Sequence, residues 1–150
     1  MIALPTKKLV DSVEGFHLVS YHAGVNATFA EVVAAGCKRL ALSSPYDGGL
    51  ARLMRGPTRA AAEEHGVKIV EETGLLTTRL FPRDIVEGKT VFLIARDDEA
   101  LAEYAGLKEA RRRSDEEGNP EHLELDLAWR FGRLLSYRDE KIEELLSRNG

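Results

Sequence analysis

Side chains able to carry out acid-base chemistry occur in three short segments, each placed just after a predicted β-strand. His22 follows the first strand, Asp47 the second and Glu72 the third. An imidazole titrates near neutrality, so His22 is a candidate general base or acid. A carboxyl group that ends a buried strand has its pKa raised by desolvation, which suits Glu72 to proton transfer. Each residue has a structural alternative: a hydrogen-bonded loop histidine, a helix N-cap and an exposed carboxylate, respectively.

The segment at residues 43–49, Ser-Ser-Pro-Tyr-Asp-Gly-Gly, is the strongest candidate for binding an anion. Hydroxyl groups and glycines ahead of a helix can hold phosphate or carboxylate on backbone amides. The alternative is a simple turn, because Pro and Gly are also the usual turn residues. Neither the phosphate-loop signature nor the dinucleotide glycine fingerprint occurs in the chain. The predicted ligand-binding residues are Ser20, Asn26, Ser43, Ser44, Tyr46, Gly48, Gly49, Arg55 and Arg79.

The sequence gives no indication of a metal site. The four histidines, at positions 17, 22, 65 and 122, have no short metal-ligand spacing. A single cysteine excludes a cysteine-based zinc cluster and an internal disulfide. We therefore assign no metal-ligating residues, and the sequence leaves both a metal requirement and the cofactor open.

The predicted elements decide whether these segments meet. Strands are predicted at residues 13–21, 39–43, 67–71 and 89–95, with helices after the first two and a break in the second helix at Gly56-Pro57. Residues 75–81 are predicted as a strand or an irregular crossing loop. Three further helices are predicted at residues 98–113, 120–135 and 137–148.

Alternating strands and helices predict an α/β fold with a mainly parallel sheet and helices on both faces. The predicted fold is thus a single three-layer, Rossmann-like domain over residues 1–150, alternating to about residue 95 and mostly helical from 96 to 150. In such sheets ligands bind beyond the carboxyl ends of the strands. The loops at 20–26, 43–49, 71–78 and 96–98 are therefore expected to form one crevice.

Composition limits the function classes. The chain has 150 residues, 21 basic and 25 acidic side chains and a formal charge of −4, which argues against a nucleic-acid partner held by phosphate contacts. Its apolar runs are far shorter than the roughly 18 residues of a membrane helix, and residues 1–5 lack the apolar stretch of a secretory signal. We expect a cytoplasmic protein without a membrane partner.

These observations favour a small enzyme that acts on a phosphorylated or carboxylated metabolite by acid-base chemistry, of the hydrolase, lyase or isomerase type. The alternative is a non-catalytic ligand-sensing or assembly module that forms oligomers through its C-terminal helices. The predicted helix near residues 123–135 supports that alternative, because its broad apolar face must be covered by the sheet, the last helix or a second copy. That face carries Leu123, Leu127, Phe131, Leu134 and Leu135.

Overall fold

The computed structural model describes residues 5–13 and 16–149, and about 62% of it is helical. The helices are Lys7–Ser12 (α1), Leu18–Ala34 (α2), Gly48–His65 (α3), Arg83–Val86 (α4), Asp98–Glu116 (α5), Glu121–Leu134 (α6) and Asp139–Asn149 (α7). The strands are Leu40–Leu42 (β1), Lys68–Glu72 (β2) and Val91–Ala95 (β3). Over the described residues, none of these helices combines the length and the apolar character needed to cross a membrane. Residues 1–4, which the secretory-signal prediction concerns, lie outside the described residues.

The described residues are mostly helical and form only a small, three-stranded antiparallel sheet, so the predicted Rossmann-like, three-layer α/β domain with a mainly parallel sheet is wrong. The strand order is β1-β3-β2, and the central strand β3 runs antiparallel to both neighbours. Ala95 is opposite Leu40 of β1 and Lys68 of β2. The outer strands β1 and β2 therefore run in the same direction, joined through α3, but β3 lies between them.

The connection between β2 and β3 explains the strand direction. A parallel return needs a crossover of a dozen or more residues that carries the chain back to the other end of the sheet, usually as a helix. The connection between β2 and β3, residues 73–90, is long enough for such a crossover, but its only helix is the four-residue α4, which does not span the sheet. The first residue of β3, Val91, is consequently opposite the last residue of β2, Glu72. Because β3 is the central strand, all five of its residues are buried, which explains its continuous apolar run.

The strand predicted at residues 13–21 is also wrong. Residues 14 and 15 lie outside the described residues, and residues 18–21 form the first turn of α2. The buried positions of α2 are His22, Asn26, Ala30 and Val33, at helical spacing. Because two of these four are polar, the hydrophobic pattern of this helix is weak in the sequence. The predicted break at Pro57 is absent too, since α3 continues through it with Pro57 exposed.

Helices cover both faces of the sheet. On one face, Ala30 and Val33 of α2 and Ala61 of α3 pack with Ala41 and Ile94 of the sheet. The other face supports the larger core, in which residues of α5, α6 and α7 pack against β1 and β3. The apolar face of α6 belongs to this core and is covered by the chain itself, so oligomerisation through that helix stays a prediction. Its buried members are Leu127, Ala128, Phe131 and Leu134.

A pair of glycine substitutions tests the contact between α6 and α7. A Cβ on Gly132 would lie 2.6 Å from Cγ1 and 2.7 Å from Cδ1 of Ile142, which is fully buried, whereas a Cβ on Gly106 of α5 would meet nothing within 4 Å. Overpacking a core costs about 1–3 kcal/mol, and replacing a helical glycine by alanine gains about 1 kcal/mol. In urea unfolding, Gly106→Ala should raise the free energy of unfolding, and Gly132→Ala should lower it.

The double variant Gly132→Ala/Ile142→Val removes the Cδ1 atom and should recover part of that loss. If Gly132→Ala were as stabilising as Gly106→Ala, the α6–α7 packing described above would be incorrect.

Candidate functional site

A bulge at the end of β1 brings a tyrosine into the interior. The backbone N–H of Ser43 donates to the carbonyl oxygen of Phe92 at 3.0 Å, while the N–H of Phe92 donates to the side-chain hydroxyl of Ser43 at 2.9 Å. Tyr46 and Thr90 then exchange two backbone hydrogen bonds of 2.8 Å. Two residues, 44 and 45, are thus opposite the single residue 91, as in a β-bulge. Pro45 fits this position because it has no N–H to leave without a partner.

Three separate segments contribute buried polar side chains next to this bulge. Helix α2 supplies two of them one turn apart, α3 supplies one, and the bulge supplies three. All are 0–1% exposed. We call this group the polar cluster: His22, Asn26, Ser43, Ser44, Tyr46 and Thr58. It contains no side chain that is charged throughout the neutral pH range.

Asn26 joins the three segments. Its side-chain nitrogen donates to the hydroxyl oxygen of Tyr46 at 3.1 Å and to that of Thr58 at 3.0 Å. The Ser43 hydroxyl donates to the carbonyl oxygen of Ser44 at 2.9 Å. Burial raises the pKa of the Tyr46 phenol, although hydrogen bonds with Asn26 and Ser43 act in the opposite direction. Tyr46 therefore stays protonated at neutral pH.

His22 is the unusual member of the polar cluster. Its ring meets the rings of Tyr21 and Tyr46 edge-on, each at 5.1 Å between centroids. Neither ring nitrogen has a hydrogen-bond partner among the described residues, and the same holds for Oδ1 of Asn26. Leaving a buried polar group without a partner costs about 1–3 kcal/mol. Because burial lowers the pKa of His22, its imidazole is neutral at pH 7 and offers one donor and one acceptor.

The other predicted acid-base residues have structural roles. Asp47 is exposed and caps α3, since its Oδ1 accepts from the N–H of Leu50 at 2.8 Å. Glu72 lies on the opposite face of the sheet, where its carboxylate accepts hydrogen bonds from Tyr104 at 3.0 Å and Lys108 at 3.1 Å. Glu72 thereby attaches the end of β2 to α5.

The predicted cationic ligands do not join the polar cluster. Arg55 forms a two-bond pair with Glu71, at 2.9 and 2.8 Å, which ties α3 to β2. Arg79 pairs with Glu121 at 3.4 Å. Of the remaining predicted binding residues, Ser20, Gly48 and Gly49 are exposed. The structure thus brings together five of the predicted site residues: His22, Asn26, Ser43, Ser44 and Tyr46.

Thr58 was not among the residues predicted for the site. The signal was present, because Thr58 occupies a buried position in the otherwise apolar stripe of α3, between Met54 and Ala61. A hydroxyl at such a position needs a hydrogen-bond partner, which Asn26 provides. For residues 5–13 and 16–149, no three His, Cys, Asp or Glu side chains are grouped so that they could hold a metal ion.

The protonation of His22 predicts a pH dependence of stability. Since the folded pKa is below the ordinary value of about 6.5, the unfolded chain binds a proton that the folded chain resists. Wild-type stability should therefore fall relative to that of His22→Leu as the pH drops from 7 towards 5. Urea unfolding of both proteins between pH 5 and 8 measures this difference. A constant difference would show that folding leaves the pKa of His22 unchanged, and a difference of opposite sign would show that folding raises it; either result would contradict the prediction.

Comparison with known proteins adds no assignment to this geometry. No protein-family model, curated protein or solved structure matches the chain. The side chains of the polar cluster and their unused hydrogen-bonding groups are therefore the basis for a functional proposal.

Proposed function

We propose that the protein binds a small, uncharged, hydrogen-bonding molecule in the polar cluster. The observation that carries the proposal is the set of three buried atoms without partners, the two ring nitrogens of His22 and Oδ1 of Asn26. A folded chain rarely keeps such atoms together, because each costs stability. Such atoms need a partner, either ordered water or a bound molecule, and we assign them to a bound molecule.

The unused groups specify the chemistry of this ligand. Neutral His22 has one N–H donor and one nitrogen acceptor, and Oδ1 of Asn26 is a second acceptor. A complementary ligand offers one acceptor and two donors, which a primary carboxamide does with its carbonyl oxygen and its NH₂ group. An ionised ligand is disfavoured, since the polar cluster has no opposite charge to offset the loss of hydration.

The acid-base enzyme hypothesis remains a prediction, with fewer residues available to it. Within the polar cluster, neutral His22 is the group able to accept a proton near pH 7, and the protonated phenol of Tyr46 is able to donate one. The hypothesis of an anionic substrate also remains a prediction. Arg55 and Arg79 do not support the anionic-substrate hypothesis, because each is already paired with a glutamate.

Access to the polar cluster requires the apolar side chains around it to move. Tyr46 packs in a group with Ala51, Met54 and Phe92, against which Val19 and Leu50 lie partly buried. Val19 belongs to the first turn of α2 and Leu50 to the first turn of α3. We infer that a ligand enters between the starts of these two helices.

Binding is tested with ¹⁵N-labelled protein titrated with acetamide, and with acetate and acetone as controls. Acetamide should shift the amide resonances of residues 22, 26 and 46 in a saturable way. Acetate carries a charge and acetone lacks donors, so both should bind at least tenfold more weakly. Equal shifts by all three molecules, or none by acetamide, would contradict the proposal.

Stability supplies the second arm of this test. His22→Leu removes two buried groups without partners, so we expect it to raise the midpoint of thermal unfolding while abolishing acetamide binding. His122→Leu, at an exposed position in α6, is the control for the change in helix propensity. Asn26→Leu breaks two hydrogen bonds that are made and should lower the midpoint. If His22→Leu instead destabilises the protein as Asn26→Leu does, His22 is a structural residue.

A further inference from the structure

A groove lies on the other side of the sheet from the polar cluster. This groove, of about 310 Å³, is bounded by the chain before α4, by α4 itself and by α7. Leu80 and Leu145 in its lining belong to the larger core, and Phe81 meets Phe131 of that core edge-on, at 6.4 Å between ring centroids. Core packing therefore fixes the floor of the groove before any ligand arrives.

Helix α7 presents positive charge to this groove. Lys141, Leu145 and Arg148 line the groove and lie at helical spacing on one face of α7. Both cations pair with the same carboxylate oxygen, Oε1 of Glu144, at 3.2 Å from Lys141 and 2.6 Å from Arg148. One carboxylate balances only one of the two charges. This group of three side chains on α7 therefore carries a net charge of +1.

The apolar part of the groove is incompletely covered. Ile85 of α4 lines the groove. It is 37% exposed and is one of the exposed large apolar side chains among the described residues. At the other wall, the side-chain amide of Asn149 donates to the carbonyl oxygen of Leu80 at 2.7 Å and holds the end of α7 against the chain. The result is a preformed apolar groove with a cationic rim.

We propose that this groove binds an amphipathic monoanion, a molecule with one carboxylate and an apolar chain, such as a medium-chain fatty acid. The carboxylate would lie between Lys141 and Arg148, where it competes with Glu144 for the two cations. The apolar chain would cover Phe81, Ile85 and Leu145. The volume of the groove is at the lower end of the range of roughly 300–1,000 Å³ for small-molecule pockets, which favours a medium-length over a long apolar chain.

The test is a titration of the ¹⁵N-labelled protein with decanoate, followed through amide resonances. Decanoate should bind at one saturable site and shift the resonances of residues 81, 85 and 145. Because both charge and chain are required, 1-decanol and acetate should each bind at least tenfold more weakly. Equal affinity for decanoate and 1-decanol, or shifts confined to other parts of the chain, would overturn the proposal.

Three substitutions on the rim separate a binding role from a structural one. Lys141→Ala and Arg148→Ala should each weaken decanoate binding about tenfold, whereas Glu144→Gln should tighten it severalfold because it removes the competing carboxylate. Arg113→Ala, which changes an exposed cation on α5, should leave the affinity unchanged. Weaker binding by Glu144→Gln would overturn the proposal. So would a dimer in sedimentation that Ile85→Glu converts to a monomer, because a second copy of the chain would then cover this groove.

Discussion

The antiparallel pairing of β3 with both outer strands is the interaction on which the other elements depend. All five residues of β3 are buried, and their side chains alternate between the two faces of the sheet. Phe92 and Ile94 pack with α2 and α3, while Val91, Leu93 and Ala95 belong to the larger core with α5, α6 and α7. Both helical layers therefore rest on one strand, and each proposed site occupies a different side of it.

The same pairing creates the polar cluster. The N–H of Phe92 would otherwise bond to a backbone carbonyl, but it bonds to the hydroxyl of Ser43, and the bulge that follows turns Tyr46 inward. Buried hydrogen bonds of this kind stabilise a fold when every group has a partner. In the polar cluster Asn26 is half satisfied and His22 is not satisfied at all. That imbalance distinguishes the polar cluster from the fully paired groups around Glu72.

Local patterns in the sequence located the three described strands and the three C-terminal helices to within a few residues. Strand direction was not predictable from them, because it depends on how the chain between β2 and β3 returns. The second half of helix α2 was predicted, but its first half was taken for a strand and a loop because His22 and Asn26 occupy buried positions where a helix normally has apolar residues. The buried polar residues that obscured this part of the helix are therefore the same ones that form the proposed binding site.

Whether the predicted residues form a functional site stays a prediction, but the structure shows how two of the predicted segments come together. The segments at 20–26 and 43–49 do meet, but through a buried helix face and a bulge, not at the carboxyl ends of parallel strands. The roles of Glu72 and Arg55 were not predictable, because their partners Tyr104, Lys108 and Glu71 lie on other elements. Ion pairs between distant elements leave no periodic signal in a sequence.

The insertion of β3 between β1 and β2 also sets the order in which the chain can fold. A chain emerging from the ribosome presents β1, α3 and β2 first, but these two strands do not pair with each other. Neither strand has a hydrogen-bonding neighbour in the sheet until β3 has been synthesised, and contacts between such distant segments form slowly. The sheet therefore forms only after β3 has been synthesised, whereas the contact between α2 and α3 does not depend on that strand.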